Sequence, residues 1–121
     1  MARILVIDDD VRLRELLRRF LERAGYEVVV AENGRVALKI QRQTPADVII
    51  TDIFMPEKEG TEIIMDLSLE FPKAKVIAIS GGGNVKNIDF LQLAKNLGAL
   101  KTFQKPFKQK ELLAAVEELL Q

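Results

Sequence analysis

At 121 residues the chain fits one domain with a core large enough to need no disulfide staples, and eighteen basic against eighteen acidic side chains leave no overall field drawing it to nucleic acid or an anionic membrane. Cysteine and histidine are both absent, which excludes disulfides, thiol nucleophiles, histidine-based triads and zinc sites built on either residue. No leader pattern opens the chain and no segment approaches about 18 unbroken apolar residues, so the expectation is a cytoplasmic protein with no membrane or nucleic-acid partner.

The first apolar run, Ile4 to Ile7, has buried-strand character and ends on three consecutive aspartates, Asp8, Asp9 and Asp10. A helix follows, with Leu13, Leu16, Leu17, Phe20, Leu21 and Ala24 spaced by threes and fours and arginines on the rest of its surface. Gly25 sits where a C′ glycine stops a helix. A second strand spans Glu27 to Ala31, and a second helix runs from about Gly34 to Gln43, before Pro45. The third strand covers Asp47 to Thr51, and a third helix runs from about Thr61 to Phe71, where Pro72 ends it. The fourth strand is Lys75 to Ile79, followed by Gly81, Gly82 and Gly83 and a helix over Val85 to Leu97. The fifth strand is Leu100 to Phe103, and the last helix carries Leu112, Leu113, Val116, Leu119 and Leu120 on one stripe. Five strands alternating with five helices predict an α/β domain over residues 1–121, a doubly wound parallel sheet covered on both faces.

Open parallel sheets bind ligands beyond the carboxyl ends of their strands. Those ends carry Asp8, Asp9 and Asp10 after the first strand and Asp52 after the third. Ser80 follows the fourth, and Lys105 with Pro106 the fifth. Crowded carboxylates repel, so either their pKa values rise or a cation separates them. Mg2+, which accepts one or two carboxylates plus water and phosphate oxygens, is the candidate ion.

In that order, Ile7-Asp8-Asp9, Thr51-Asp52-Ile53-Phe54-Met55-Pro56, Ile79-Ser80-Gly81 and Gln104-Lys105-Pro106-Phe107 resemble the receiver domain of two-component response regulators. Each motif alone is weak, but four at strand ends with the right order and spacing are specific, and the resemblance covers nearly the whole chain. It implies a flavodoxin-like (βα)5 fold with strand order 2-1-3-4-5. It also implies that Asp52 is the phosphoacceptor, taking a phosphoryl group from a sensor histidine kinase or a histidine phosphotransfer protein. On the same resemblance Asp9 and Asp52 ligate Mg2+ directly, Asp8 acts largely through coordinated water, and Phe54 adds a backbone carbonyl. Lys105 supplies positive charge, Ser80 bonds the new phosphoryl oxygen, and the Lys105–Pro106 peptide is expected to be cis. Such a protein is no enzyme with a separate substrate; it catalyses its own phosphorylation and dephosphorylation, then switches an effector protein, a fused output domain or a phosphorylation-dependent homodimer.

Two positions depart from the family pattern. Thr102 stands three residues before Lys105, where an aromatic is usual, and Phe103 alternates to the other side of the strand, towards the core. The stretch from Ser80 to Gly98 is longer and richer in glycine than in short family members.

Plainer readings compete at several positions. Asp10, just before the first helical turn, reads as an N-cap rather than a ligand. The arginines of the first helix read equally as a solvated face or as a docking surface, and in receivers that helix meets the phosphodonor domain. In the fourth helix Ile88, Leu91 and Ala94 share a stripe with Phe90 and Leu93 off it, which suggests either a contact surface or packing under the long loop. Two rival functions also remain. Asp8, Asp9, Asp10 and Val11 loosely fit the Asp-x-Asp-x-Val signature of haloacid-dehalogenase-type phosphohydrolases, with Asp8 as nucleophile, although no acidic pair follows the fourth strand. The other rival is a receiver-like interaction module that is never phosphorylated.

Overall fold

The computed structural model describes residues 2–53, 59–80, 92 and 94–121. Five strands, β1 Arg3–Ile7, β2 Glu27–Ala31, β3 Val48–Asp52, β4 Lys75–Ser80 and β5 Lys101–Gln104, form one sheet in the order β2-β1-β3-β4-β5. Every neighbouring pair is parallel. Helices α1 Val11–Arg23, α2 Gly34–Gln43, α3 Glu59–Glu70 and a C-terminal helix, Gln109–Leu120, make the crossovers and the last cover layer. Residues 94–97 are also helical, the end of the predicted Val85 to Leu97 helix; the rest of that helix and the triple glycine lie outside the described residues.

Strand side chains alternate between faces, and here the alternation fills two cores. Leu5, Ile7, Ile49, Val76 and Ala78 face Ala37, Ile63, Ile64 and Leu67 of α2 and α3. Ile4, Val6, Val48, Ile50, Ile77 and Ile79 face Leu17, Phe20 and Leu21 of α1 and Leu112, Val116 and Leu119 of the C-terminal helix. Each fully buried aliphatic side chain contributes about 1.5–3 kcal/mol against leaving it in water. Phe103 packs into the second core and meets Phe107 with ring centroids 6.0 Å apart. Its alternation to the side away from Thr102 is therefore as expected.

The helix ends obey local chemistry. Asp10 is the N-cap of α1, its Oδ1 accepting from the backbone N–H of Arg12 at 2.9 Å and of Leu13 at 3.5 Å. Gly25, with φ +100°, ends that helix in the left-handed region that side chains disfavour. Gly98, at φ +131°, approaches α3 so closely that an added Cβ would run into Ser68.

Two expectations shift. Helix α3 begins at Glu59, two residues before the predicted start. Leu16, counted on the core stripe of α1, is half exposed, because Leu17, Phe20 and Leu21 take the buried face and Leu16 falls on its flank.

Candidate functional site

Register builds the site. Ile7 pairs with Ala31 on one side and Thr51 on the other, so one step further Asp8 and Asp52 stand side by side at the carboxyl ends of β1 and β3. Ser80 pairs with Gln104, and the backbone N–H of Lys105 extends that ladder to the Ser80 carbonyl at 2.8 Å. Alternation puts Asp8, Asp52 and Lys105 on the face of α1 and the C-terminal helix, and Ser80 on the other face at the same edge.

The four groups differ in exposure. Asp8 is 2% exposed, Asp52 5% and Ser80 fully buried, while Asp9 is exposed on the turn. One carboxylate oxygen from each of Asp8, Asp9 and Asp52 lies within 4.8 Å of the others. Against this cluster stands the ammonium of Lys105, 3.0 Å from Asp52 Oδ2 and 4.0 Å from Asp8 Oδ2. The Lys105–Pro106 peptide is cis, as expected.

Asp8 records the electrostatic cost. Burial pushes its carboxyl up from an ordinary 3.8 to about 6; the Asp10 N–H, which donates to Oδ1 at 2.8 Å, opposes this, the Asp52 charge adds to it, and Lys105 opposes it again. The donor set is all oxygen, partly buried and open on the Asp9 side. Such a set suits a hard divalent cation that keeps several waters, so the residues present fit Mg2+. Phe54, the predicted carbonyl ligand, lies outside the described residues, as do Met55 and Pro56.

One contact escaped the sequence reading. Arg14, one of the α1 arginines read equally as a solvated face or a docking surface, donates from Nη1 to the main-chain carbonyl of Asp8 at 3.0 Å. The available signal was its place one turn beyond the Asp10 cap, where a long side chain can fold back over the helix start. Arg18, by contrast, serves its own helix, pairing with Glu15 at 2.8 Å and Glu22 at 3.9 Å.

The sequence model of the response regulator receiver domain matches residues 4–117. The chain belongs to that family. Among similar receivers, sporulation initiation phosphotransferase F of Bacillus subtilis is 33% identical over 118 residues, which cover 98% of this chain and 93% of that protein. A receiver domain structure from Clostridium thermocellum superposes with a TM-score of 0.90 at 31% identity, over 99% of this chain and 94% of that one. Response regulator protein TrrA from Thermotoga maritima, in complex with Mg(2+)-BeF, gives a TM-score of 0.85 at 34% identity, over 98% and 99%. The chain spans about half the length of several curated regulators that it matches. Among the described residues no helix is long and apolar enough to cross a membrane.

Proposed function

We propose that this receiver domain takes a phosphoryl group on Asp52 from a sensor histidine kinase or a histidine phosphotransfer protein, with Mg2+, and passes on a conformational signal. The observation that carries the reading is the juxtaposition of Lys105 Nζ, 3.0 Å from Asp52 Oδ2, with the oxygens of Asp8, Asp9 and Asp52 gathered within 4.8 Å. A carboxylate is ionised at neutral pH and needs no general base, which suits a chain without histidine or cysteine. As the bond from an Asp52 oxygen to phosphorus forms, the bond from phosphorus to the donor's imidazole nitrogen breaks in line. Charge then spreads over the three equatorial oxygens. Lys105 neutralises part of that charge, and Asp8 and Asp9, with the carbonyl of Phe54, would hold the ion beside it. When bound, Mg2+ supplies further positive charge to the same oxygens. On this reading the Ser80 hydroxyl, at the same carboxyl edge, would bond a phosphoryl oxygen and carry the change into β4, a local event that biases a two-state element.

The chain would catalyse its own phosphorylation and slow hydrolysis, without a separate substrate. The output would be an effector protein, a fused domain or a phosphorylation-dependent homodimer, and the setting cytoplasmic. Asp8 is engaged in the turn, its Oδ1 accepting the Asp10 N–H at 2.8 Å, whereas Asp52 stands directly beside the ammonium of Lys105, which favours Asp52 as the nucleophile. The complex of TrrA with Mg(2+)-BeF supports the choice of ion. The test is mass spectrometry after acetyl phosphate and Mg2+. We expect one phosphoryl group on Asp52, lost with EDTA and in Asp52→Asn; label persisting on Asp8 in that variant would restore the phosphohydrolase reading, and no label at all would leave an interaction module.

A further inference from the structure

Phosphoryl transfer as set out above makes no use of Arg14, yet its guanidinium reaches back from α1 to the main-chain oxygen of Asp8, 3.0 Å away. We infer that Arg14 is a positioning residue that orients the Asp8–Asp9 peptide and thereby sets the affinity of the acidic cluster for a divalent cation. The inference rests on the metal reading of Asp8, Asp9 and Asp52.

Asp8 is fastened at several points. Its N–H donates to the Ala31 carbonyl at 3.1 Å, continuing the pairing of β1 with β2, and its Oδ1 accepts from Asp10 at 2.8 Å. The Asp10 bond closes a turn around the peptide plane that leads out of Asp8, but through a side chain that can itself rotate; the Arg14 bond holds the carbonyl of that peptide directly. That plane carries the Asp8 carbonyl and the Asp9 N–H together, because the peptide unit is rigid. Holding the carbonyl therefore aims the Asp9 Cα and the carboxylate beyond it. Asp9 is the exposed member of the cluster, on a turn with no ladder of its own, so its placement depends most on such a restraint. Arg14 suits the task because it is half-buried and its planar guanidinium fork loses little freedom when one N–H is engaged. Contacts that orient a metal ligand from outside the coordination sphere typically change affinity about 10–100-fold when removed.

The sign of the effect separates this role from simple electrostatics. Deleting a cation near a cation site should tighten Mg2+ binding by relieving repulsion, whereas loss of positioning should weaken it. Isothermal titration with Mg2+ is expected to give a dissociation constant about 10-fold higher for Arg14→Met than for the parent chain. Arg14→Lys, which keeps a long-armed donor, should recover part of the loss. The amide nitrogen shift of Asp9, read by NMR without metal, should move in Arg14→Met, since its N–H shares the peptide with the released carbonyl. Should Arg14→Met fail to fold, Arg14→Gln is read in the same way, its amide being too short to reach Asp8. Unchanged or tighter Mg2+ binding in the neutral variant overturns the inference alone. A parent chain that binds no Mg2+ overturns the metal reading and the inference with it.

Discussion

At the amino edge of the sheet polar groups meet partners of opposite kind. Arg3 donates from its backbone N–H to Asp47, from Nε to Glu27 and from Nη1 to the Pro45 carbonyl, at 2.9, 3.0 and 3.1 Å. Gln41, buried in the last turn of α2, closes a two-way bond with the N–H and carbonyl of Ala46, and Lys75 caps the end of the C-terminal helix at the Leu119 carbonyl. At the carboxyl edge of the same strands, Asp8, Asp9 and Asp52 crowd together against the ammonium of Lys105. One edge pairs its polar groups, the buried Gln41 and Ala46 among them. The other concentrates charge of one sign in a way that folding alone would disfavour, which is the usual mark of a site kept for chemistry.

If that contrast is right, substitutions at the two edges must act in opposite directions. The largest effect is expected on phosphorylation at the carboxyl edge. Lys105→Met removes the ammonium beside Asp52, and the rate of acetyl phosphate labelling should fall about 10²–10³-fold, the range found when one preorganised donor to a developing charge is lost. A loss below about threefold would mean that Lys105 merely balances charge in the resting state.

The next effect is on stability, and its sign is unusual. The Asp8 pKa is raised on folding to about 6, so the folded state holds this proton more tightly than the unfolded one. Ionised Asp8 therefore destabilises the metal-free protein fully above pH about 6, and the deficit disappears as pH falls below the unfolded value near 3.8. Asp8→Asn should stabilise the protein in EDTA at pH 7.5 by about 2–3 kcal/mol, with the gain fading towards pH 4. Mg2+ should stabilise the parent by mass action and the variant far less. Urea unfolding across pH checks both statements, and a variant less stable than the parent at pH 7.5 would break the comparison.

The smallest effect belongs to the amino edge. Gln41→Met keeps the volume but leaves the N–H and carbonyl of Ala46 without their buried partner, and should cost about 1–2 kcal/mol. Unlike the gain from Asp8→Asn, this loss should be independent of pH and of Mg2+. A chemical denaturation series at two pH values would reveal any coupling.

Much of the fold was legible because its signals are local. The apolar runs of β1 and β2, Gly25 after α1 and Pro72 after α3 mark element ends through backbone preference, which acts on neighbours in the chain. Asp10 was recognisable as a cap on the same ground, and its bonds to the N–H groups of Arg12 and Leu13 bear this out. The site was legible at a second level, as residue types at strand ends in a familiar order. Leu16 was misjudged and the Arg14 bond to Asp8 was missed because helical spacing reports which residues share a stripe, not where the neighbouring element stops covering it or what a long side chain folds back to.

By itself the sequence determined the alternation of strands and helices, the composition of the carboxyl edge and the absence of histidine and thiol chemistry, since each follows from residue identity and short-range spacing. Tertiary structure alone decided which acids meet. Register brought Asp8 beside Asp52, the β4–β5 ladder delivered Lys105 to within 3.0 Å of Asp52, and burial under α1 lifted the Asp8 pKa. Those outcomes depend on distance and local dielectric between residues far apart in the chain, and no local preference encodes either.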